Sequence, residues 1–167
     1  MANTDLYDFN LIMSLAKHVR ASAFVATHAY PVNFGDTQFN PSAYPRWVSF
    51  EWVYFGGRVT SQNSVHARCF SRTEGDRFGK LRETMVGRLK EALAVVAGIA
   101  LYDFITTPST PALLTWNDDT INMAIRFGDR SALMDGRDMA ESGSTAKGID
   151  MVVLSYNIYV ARPHEVH

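Results

Sequence analysis

A polar run at residues 128–148 constrains the fold most, because it separates two clear strand patterns at residues 120–127 and 149–161. Roughly twenty residues without apolar periodicity are unusual inside a compact domain, and such segments are generally either functional or disordered. We therefore expect a long loop before the C-terminal strand. This loop, residues 129–148, is interpreted as an assembly arm that contacts a partner protein, most simply another copy of the chain.

The bulk properties fit one globular domain covering residues 1–167. The formal net charge is −1, so no overall field attracts nucleic acid or an anionic membrane. Cys69 is the only cysteine, which excludes an intrachain disulfide and a cysteine-rich zinc site. Asp5 and Asp8 stand where a signal peptide would be positive, and no apolar run is long enough for a membrane span. We expect a protein that is made in the cytoplasm and has no membrane partner.

Two amphipathic helices are predicted from apolar residues that recur at helical spacing. The first can be capped by Asn3 or Thr4, and its apolar stripe comprises Leu6, Phe9, Ile12, Met13, Ala16 and Val19. The second spans residues 76–96, and its stripe comprises Phe78, Leu81, Met85, Leu89, Ala92 and Val96. We expect both stripes to pack against a sheet, with the charged side chains outside them.

Strand patterns fill most of the remaining chain. Residues 47–55 carry aromatic side chains on both faces, so we expect the second face to be covered by a helix or a neighbouring subunit. Gly56 and Gly57 then turn the chain into a second strand at residues 65–70, which completes an antiparallel hairpin. Further strands are predicted at residues 99–106, 113–116, 121–127 and 151–161. This order predicts an α+β fold: a mostly antiparallel sheet, two main helices packed on one face, and the long loop.

Motifs for small-molecule chemistry are missing from the sequence. There is neither a P-loop nor a dinucleotide fingerprint, and Ser142-Gly143-Ser144 lacks the context of a nucleophile elbow. His164-Glu165-Val166-His167 is one residue short of the zinc-protease motif and follows a proline. The acidic residues of the loop do not have calcium-loop spacing. We therefore expect no catalytic residues, no cofactor and no metal.

Interaction residues are predicted instead. Aromatic side chains anchor interfaces, and mixed charges set register between subunits. The predicted subunit or partner interface comprises Trp47, Trp52, Phe55, Arg130, Arg137, Asp138 and Lys147. The densest basic stretch surrounds the second strand and the following helix, where a solvated helix face is the simpler interpretation. If this stretch faces a channel, Arg68, Arg72 and Arg88 would line the lumen and contact a phosphate backbone without reading sequence.

The order of elements resembles a known family. The matching features are a short N-terminal helix, the segments Tyr44-Pro45-Arg46-Trp47-Val48 and Ser64-Val65-His66-Ala67-Arg68-Cys69-Phe70, the helix at residues 76–93 and a long last strand at 151–161. Together they resemble the tail terminator proteins of long-tailed bacteriophages, the family of the phage lambda minor tail protein U, and related neck and tail-completion proteins. The loop at residues 129–148 is longer than expected of this family.

The resemblance implies a structural virion protein without enzymatic activity. Such a protein forms a homo-oligomeric ring, usually a hexamer, that caps the finished tail tube, stops its polymerisation and joins the tube to the head connector or stopper protein. It would reside in the tail or neck of the virion, and in the host cytoplasm during assembly, with non-specific DNA in its lumen as a further contact. A head-closure or other neck protein is one alternative. A small soluble enzyme or ligand-binding α+β domain, with the long loop as a lid, is another.

Overall fold

The computed structural model describes residues 7–53, 63–95, 98–114, 124–127, 132–134 and 148–161. It has the expected α+β fold, with helices and strands interleaved along the chain. The helices are α1 (Tyr7–Ala21), α2 (Ala23–Ala26) and α3 (Lys80–Leu93). The strands are β1 (Val32–Asn33), β2 (Arg46–Val53), β3 (Asn63–Arg72), β4 (Ile99–Ala100), β5 (Tyr102–Asp103), β6 (Ala112–Leu113), β7 (Ala124–Phe127), β8 (Ala132–Met134) and β9 (Ile149–Ala161). Short 3-10 turns occur at Pro41–Ala43 and Arg77–Gly79.

The main sheet has the strand order β1-β2-β3-β9-β7-β4, and β8 also pairs with β9. β1 is parallel to β2, whereas every other described pairing in this sheet is antiparallel. β5 and β6 form a separate small antiparallel sheet. The sheet is therefore mixed but mostly antiparallel, as the sequence predicts.

The hairpin β2–β3 and the strand β9 form the centre of this sheet. Trp52 pairs with Val65, and Val65 pairs on its other side with Tyr156. Toward the opposite end of β3, Ser71 lies between Arg46 and Asp150. Because side chains alternate along each strand, this register gives the three strands two continuous faces.

Both main helices pack on one of these faces, called the first face below, which confirms the prediction. Its fully buried residues include Val48, Val65, Ala67 and Cys69, and they form one hydrophobic cluster with α1 and α3. The helical members of the cluster are Leu11, Leu15, Val19, Met85, Val86, Leu89 and Leu93. The opposite side of the sheet, the second face, carries Trp47, Ser49, Glu51, His66, Arg68 and Phe70.

The predicted apolar stripe of α1 is rotated relative to the observed buried side. Phe9 is 49% exposed, whereas the polar residues Asn10 and Ser14 are buried. Asn10 Oδ1 accepts a hydrogen bond from the Phe104 N–H, and Ser14 Oγ accepts one from the Tyr102 N–H, both at 2.9 Å. The helix therefore turns two polar side chains inward because they satisfy backbone donors at β5 that burial would otherwise leave unpaired.

The second predicted helix begins later than expected. α3 starts at Lys80, after a 3-10 turn in which Phe78 has φ of 61° and Gly79 has φ of 69°. Phe78 and Leu81, both assigned to the buried stripe, are exposed, and Arg82 is buried instead. A left-handed pair interrupts the helical path, so the stripe predicted from continuous periodicity does not extend through residue 78.

The polar run at residues 128–148, predicted as a long loop, contains one short strand among its described residues. β8 lies within it and pairs with β9, with Leu133 opposite Leu154. β7 and β8 follow the same edge of β9 in succession, since Phe127 pairs with Ile158 and Ala132 with Ser155. Residues 128–131 and 135–147, the remainder of the predicted arm, lie outside the described residues.

Candidate interaction surfaces

An apolar pocket of about 180 Å³ lies on the first face, between α1 and the hairpin β2–β3. Its lining residues are Ile12, Leu15, Phe34, Gly35, Phe50, Trp52 and Val65. Leu15 and Val65 are fully buried, whereas Ile12, Phe34 and Phe50 are partly exposed. The pocket therefore has a buried aliphatic floor and aromatic walls that reach solvent.

The outer wall of the pocket is held in place by its own contacts. The Phe34 ring stacks on the Phe50 ring, with centroids 4.7 Å apart and planes 5° from parallel. The Arg20 guanidinium lies 5.3 Å from the Phe34 ring centroid. Asn33 Oδ1 accepts hydrogen bonds from the N–H groups of Gly35 and Asp36, which forms a tight turn with Gly35 at φ of 92°. The wall is thus pre-formed before anything occupies the pocket.

A second apolar feature lies at the start of α3. Phe78 is 90% exposed, and its backbone is left-handed, which is uncommon for a residue other than glycine, asparagine or aspartate. The Arg77 guanidinium lies 5.1 Å from the ring centroid and leaves most of the ring in solvent. An exposed aromatic at a strained backbone position is a candidate interaction residue.

Asp76 holds this segment in place. Its carboxylate accepts hydrogen bonds from the Leu81 N–H at 2.7 Å, the Arg82 N–H at 3.0 Å and the Ser71 hydroxyl at 3.2 Å. Burial alone would raise the pKa of Asp76, but these hydrogen bonds, assisted by the Arg46 charge, lower the pKa below its ordinary value. The carboxylate therefore caps α3 across the intervening turn and joins it to β3.

The second face of the sheet carries stacked aromatic rings and paired charges. Trp47 stacks on Phe70 with ring centroids 5.0 Å apart, and the Arg72 guanidinium lies 5.6 Å from the Trp47 ring centroid. Arg72 Nε also donates to the Tyr44 carbonyl at 3.1 Å. Arg68 forms an ion pair with Glu51 on the same face. These groups contact one another within the subunit.

The two predicted tryptophans lie on opposite faces of β2. Trp47 is buried on the second face, and Trp52 lines the pocket on the first face. They therefore do not contribute to one continuous surface. The other residues predicted for the interface lie outside the described residues: Phe55, Arg130, Arg137, Asp138 and Lys147.

The three predicted lumen residues are not brought together. Arg68 and Arg72 share the second face, where each has partners in the same subunit. Arg88 lies on α3, on the other side of the sheet, and donates to the Tyr30 hydroxyl at 3.2 Å. Arg88 thus does not form a single basic patch with Arg68 and Arg72.

The single cysteine lies in the hydrophobic cluster of the first face. Burial raises the pKa of the Cys69 thiol to about 12, despite an opposing effect of the Lys90 charge. Such a thiol is protonated at neutral pH and therefore a poor nucleophile. Cys69 is therefore a core residue.

Searches for metal sites and membrane spans extend over the described ranges only. Within them, no group of three or more His, Cys, Asp or Glu side chains is arranged to hold a metal ion. Also within them, no helix is both long and apolar enough to cross a bilayer.

Sequence reasoning missed the residues that form the two apolar features. Phe34 lies outside every predicted helix and strand, whereas Ile12 and Phe78 belong to the predicted buried stripes of the two helices. One signal was present for Phe78: the Gly79 that follows it can adopt a left-handed conformation and so end a helical path. No local pattern indicated that Phe34 would stack on Phe50, because that contact depends on how β1 joins the sheet.

Comparison with known proteins adds no assignment, since no family model matches the chain and a search of the curated proteins returned no significant match.

Proposed function

We propose that this chain is a ring-forming structural subunit of a bacteriophage tail or neck, most specifically a tail terminator that caps the tail tube and joins it to the head connector. The observation that carries the proposal is the succession of the hairpin β2–β3, the helix α3 and the long strand β9. The sequence resemblance rests on the same succession. The packing of both helices on one face, which leaves the other face of the sheet free of helices among the described residues, supports it.

The mechanism would be steric. A ring seated on the last ring of a tube covers the edges to which the next subunits would add, so polymerisation stops without any chemical step. Closed rings form when each subunit uses two different surfaces in a head-to-tail manner. The apolar pocket and the exposed Phe78 are two such surfaces within the described residues.

The ring is tested by measuring the mass of the purified protein with light scattering and native mass spectrometry, and by imaging it with negative-stain electron microscopy. We expect one discrete oligomer, usually a hexamer, with a central hole. A stable monomer at every concentration up to about 100 μM, far above the dissociation constants of specific assemblies, would contradict the proposal.

The capping role needs a separate measurement with the tube protein of the same phage. We expect the ring to stop tube elongation at substoichiometric amounts, because it acts only at tube ends. A head-closure protein would bind the connector but leave tube elongation unchanged. This comparison therefore distinguishes the terminator from the alternative neck assignment.

A ligand-binding α+β domain is the second candidate, and the apolar pocket favours it. A cavity of about 150 Å³ with an aliphatic and aromatic lining binds benzene in another protein, and this pocket has about 180 Å³. A small aromatic probe such as indole should then raise the melting temperature of a monomeric protein. A ring whose assembly is unaffected by indole, with no shift in melting temperature, would argue against this candidate.

A further inference from the structure

We propose that adjacent subunits are joined by the Phe78 ring of one copy inserting into the apolar pocket of the next. The inference rests on the proposed ring and identifies the contact that would hold it together. The occupant of the pocket would be a second copy of this chain.

The exposed Phe78 ring has the properties of an interface residue. At 90% exposure it is the most exposed of the large hydrophobic side chains in the described part of the chain. Its left-handed backbone costs conformational energy, and such strain is found where the surrounding structure enforces it for function. Asp76 and Gly79 enforce it here, because the Gly79 N–H donates to the Asp76 carbonyl at 3.1 Å within the turn.

The pocket matches a phenyl ring in both size and chemistry. Its volume of about 180 Å³ exceeds that of a cavity of about 150 Å³ known to hold benzene. The floor is aliphatic at Leu15 and Val65, and the walls are the aromatic rings of Phe34 and Phe50. Aromatic side chains that fill such pockets dominate the binding energy of protein interfaces.

The two features lie toward opposite ends of β3. The pocket lies at Val65, whereas the turn carrying Phe78 is bonded to Ser71 through Asp76. Six residues of extended strand separate these positions by roughly 20 Å. One subunit therefore cannot fill its own pocket, and Phe78 would enter the pocket of another copy. In the proposed ring this contact is heterologous: it joins copies head to tail and closes when the rotation permits.

Exposed charges lie beside both features, and near Phe78 they include Glu74 and Glu83 as well as two cations. Arg77 and Lys80 are exposed on either side of Phe78, and the exposed Asp36 follows Gly35 at the pocket. Arg20, the cation near the pocket, lies over the Phe34 ring. Attraction of Arg77 and Lys80 to Asp36 would speed association and weaken with salt.

The main test uses two complementary variants. Phe78→Asn removes the ring but keeps the pocket, and asparagine tolerates the left-handed backbone. Ile12→Trp fills the pocket but keeps Phe78. We expect each variant alone to require at least about tenfold higher concentration for assembly, as for loss of a central aromatic anchor. An equimolar mixture should form one-to-one dimers and nothing larger, because only one junction can form.

Phe9→Ala is the matched control. Phe9 is another exposed phenylalanine on α1 and is not among the residues that line the pocket, so its loss should leave assembly unchanged. If Phe78→Asn assembles like the wild type, the inference is overturned while the proposed ring stands. If the wild type itself remains monomeric, the ring and its junction are both overturned.

A cross-linking experiment covers the case in which Ile12→Trp fails to fold. A double variant with Asp36→Cys beside the pocket and Arg77→Cys beside Phe78 keeps the ring and the pocket lining. It should give a ladder of disulfide-linked oligomers on mild oxidation, since a disulfide needs Cα atoms within about 7 Å. The buried Cys69 should not interfere. If Arg77→Cys alone gives as much cross-linking, the contact is symmetric and the inference is overturned, as it is if the double variant, which retains Phe78, gives none.

Discussion

The Arg82 guanidinium lies 3.0 Å from the Asp150 carboxylate, which joins the first turn of α3 to the start of β9. Its second partner is Glu83, at 3.1 Å. The side chain of Arg82 is only 5% exposed, whereas those of Asp150 and Glu83 are 41% and 65% exposed. Arg82 is buried, whereas its two partners are partly exposed. Replacing Arg82 should therefore affect the stability of the fold differently from replacing Asp150 or Glu83.

We expect Arg82→Ala to lower the free energy of unfolding by about 2–3 kcal/mol, mainly through lost packing of the buried side chain. Arg82→Met should cost only about 1 kcal/mol, because it preserves most of the volume while Asp150 and Glu83 regain water. Urea denaturation of both variants measures the difference. Equal losses would show that the ion pairs, not the packing, provide the stabilisation.

Asp76 should make the stability of the fold depend on pH in acid. Its folded pKa lies below the ordinary 3.8, so its stabilisation is complete above about pH 5 and is lost as the pH falls through the folded pKa. Above about pH 5, Asp76→Asn should lower the free energy of unfolding by about 1–2 kcal/mol. The difference in the free energy of unfolding between the wild type and Asp76→Asn should become smaller as the pH falls below the ordinary pKa of 3.8.

Asp76→Ala serves as the comparison for this measurement, since alanine removes the hydrogen-bond acceptor at every pH. Denaturation curves at intervals of half a unit between about pH 2.5 and pH 7 span the relevant titration. If the difference in the free energy of unfolding between the wild type and Asp76→Asn stays constant over this pH range, the stabilising role of the ionised carboxylate is refuted.

Replacing Phe78 should stabilise the isolated subunit. Phe78→Asn relieves a left-handed strain of about 1 kcal/mol and exposes less apolar surface. The free energy of unfolding should therefore rise by up to about that amount, measured at a concentration where no oligomer forms. Phe9→Asn is the control: it lies within α1, where asparagine is a poorer helix former, so it should give no gain. A destabilised Phe78→Asn would show that the ring contributes to the fold of the monomer.

The hydrogen bonds that α1 makes to the backbone at β5 should contribute to the local stability of that backbone. Ser14→Ala leaves the Tyr102 N–H without its acceptor and should cost about 1–2 kcal/mol. Amide exchange at Tyr102 should accelerate, whereas the Phe104 amide, bonded to Asn10, keeps its acceptor. Exchange measured by NMR on the variant tests this difference. Equal acceleration at both amides would mean that the whole segment has detached.

Cys69 should be unreactive in the folded protein. With the pKa of its thiol at about 12 and no access from solvent, a thiol reagent such as Ellman's reagent should modify it at pH 8 only through unfolding. In denaturing urea we expect complete and rapid reaction. Rapid modification of the native protein would contradict the burial of Cys69.

The sequence predicted the architecture well where periodicity and burial agree. Alternation in β2 and β3 identified a hairpin with distinct faces, and the apolar residues of β9 identified the long last strand. These strands are central and packed on at least one side, so their patterns report directly on the environment they occupy.

The prediction was wrong where polar groups or strain decide the structure. Asn10 and Ser14 turn inward because backbone donors need them, which no hydrophobic pattern reveals. Phe78 leaves the helical path because Asp76 and Gly79 build a turn before α3. The apolar triplet at β8 is too short to stand out inside a polar run, and it becomes a strand only because β9 offers it an edge.

The pairing of β3 with β9 joins segments that are far apart in the sequence. The Thr73 N–H donates to the Gly148 carbonyl, and these residues are 75 positions apart. Closing so large a loop delays folding, as in other proteins of high contact order. Residues near both proposed contact surfaces depend on β9. Asp150 of β9 pairs with Arg82 near Phe78, and Tyr156 of β9 pairs with Val65 at the pocket. If the proposed assembly forms, a chain that has not finished folding would present neither surface, and only completed subunits would join it.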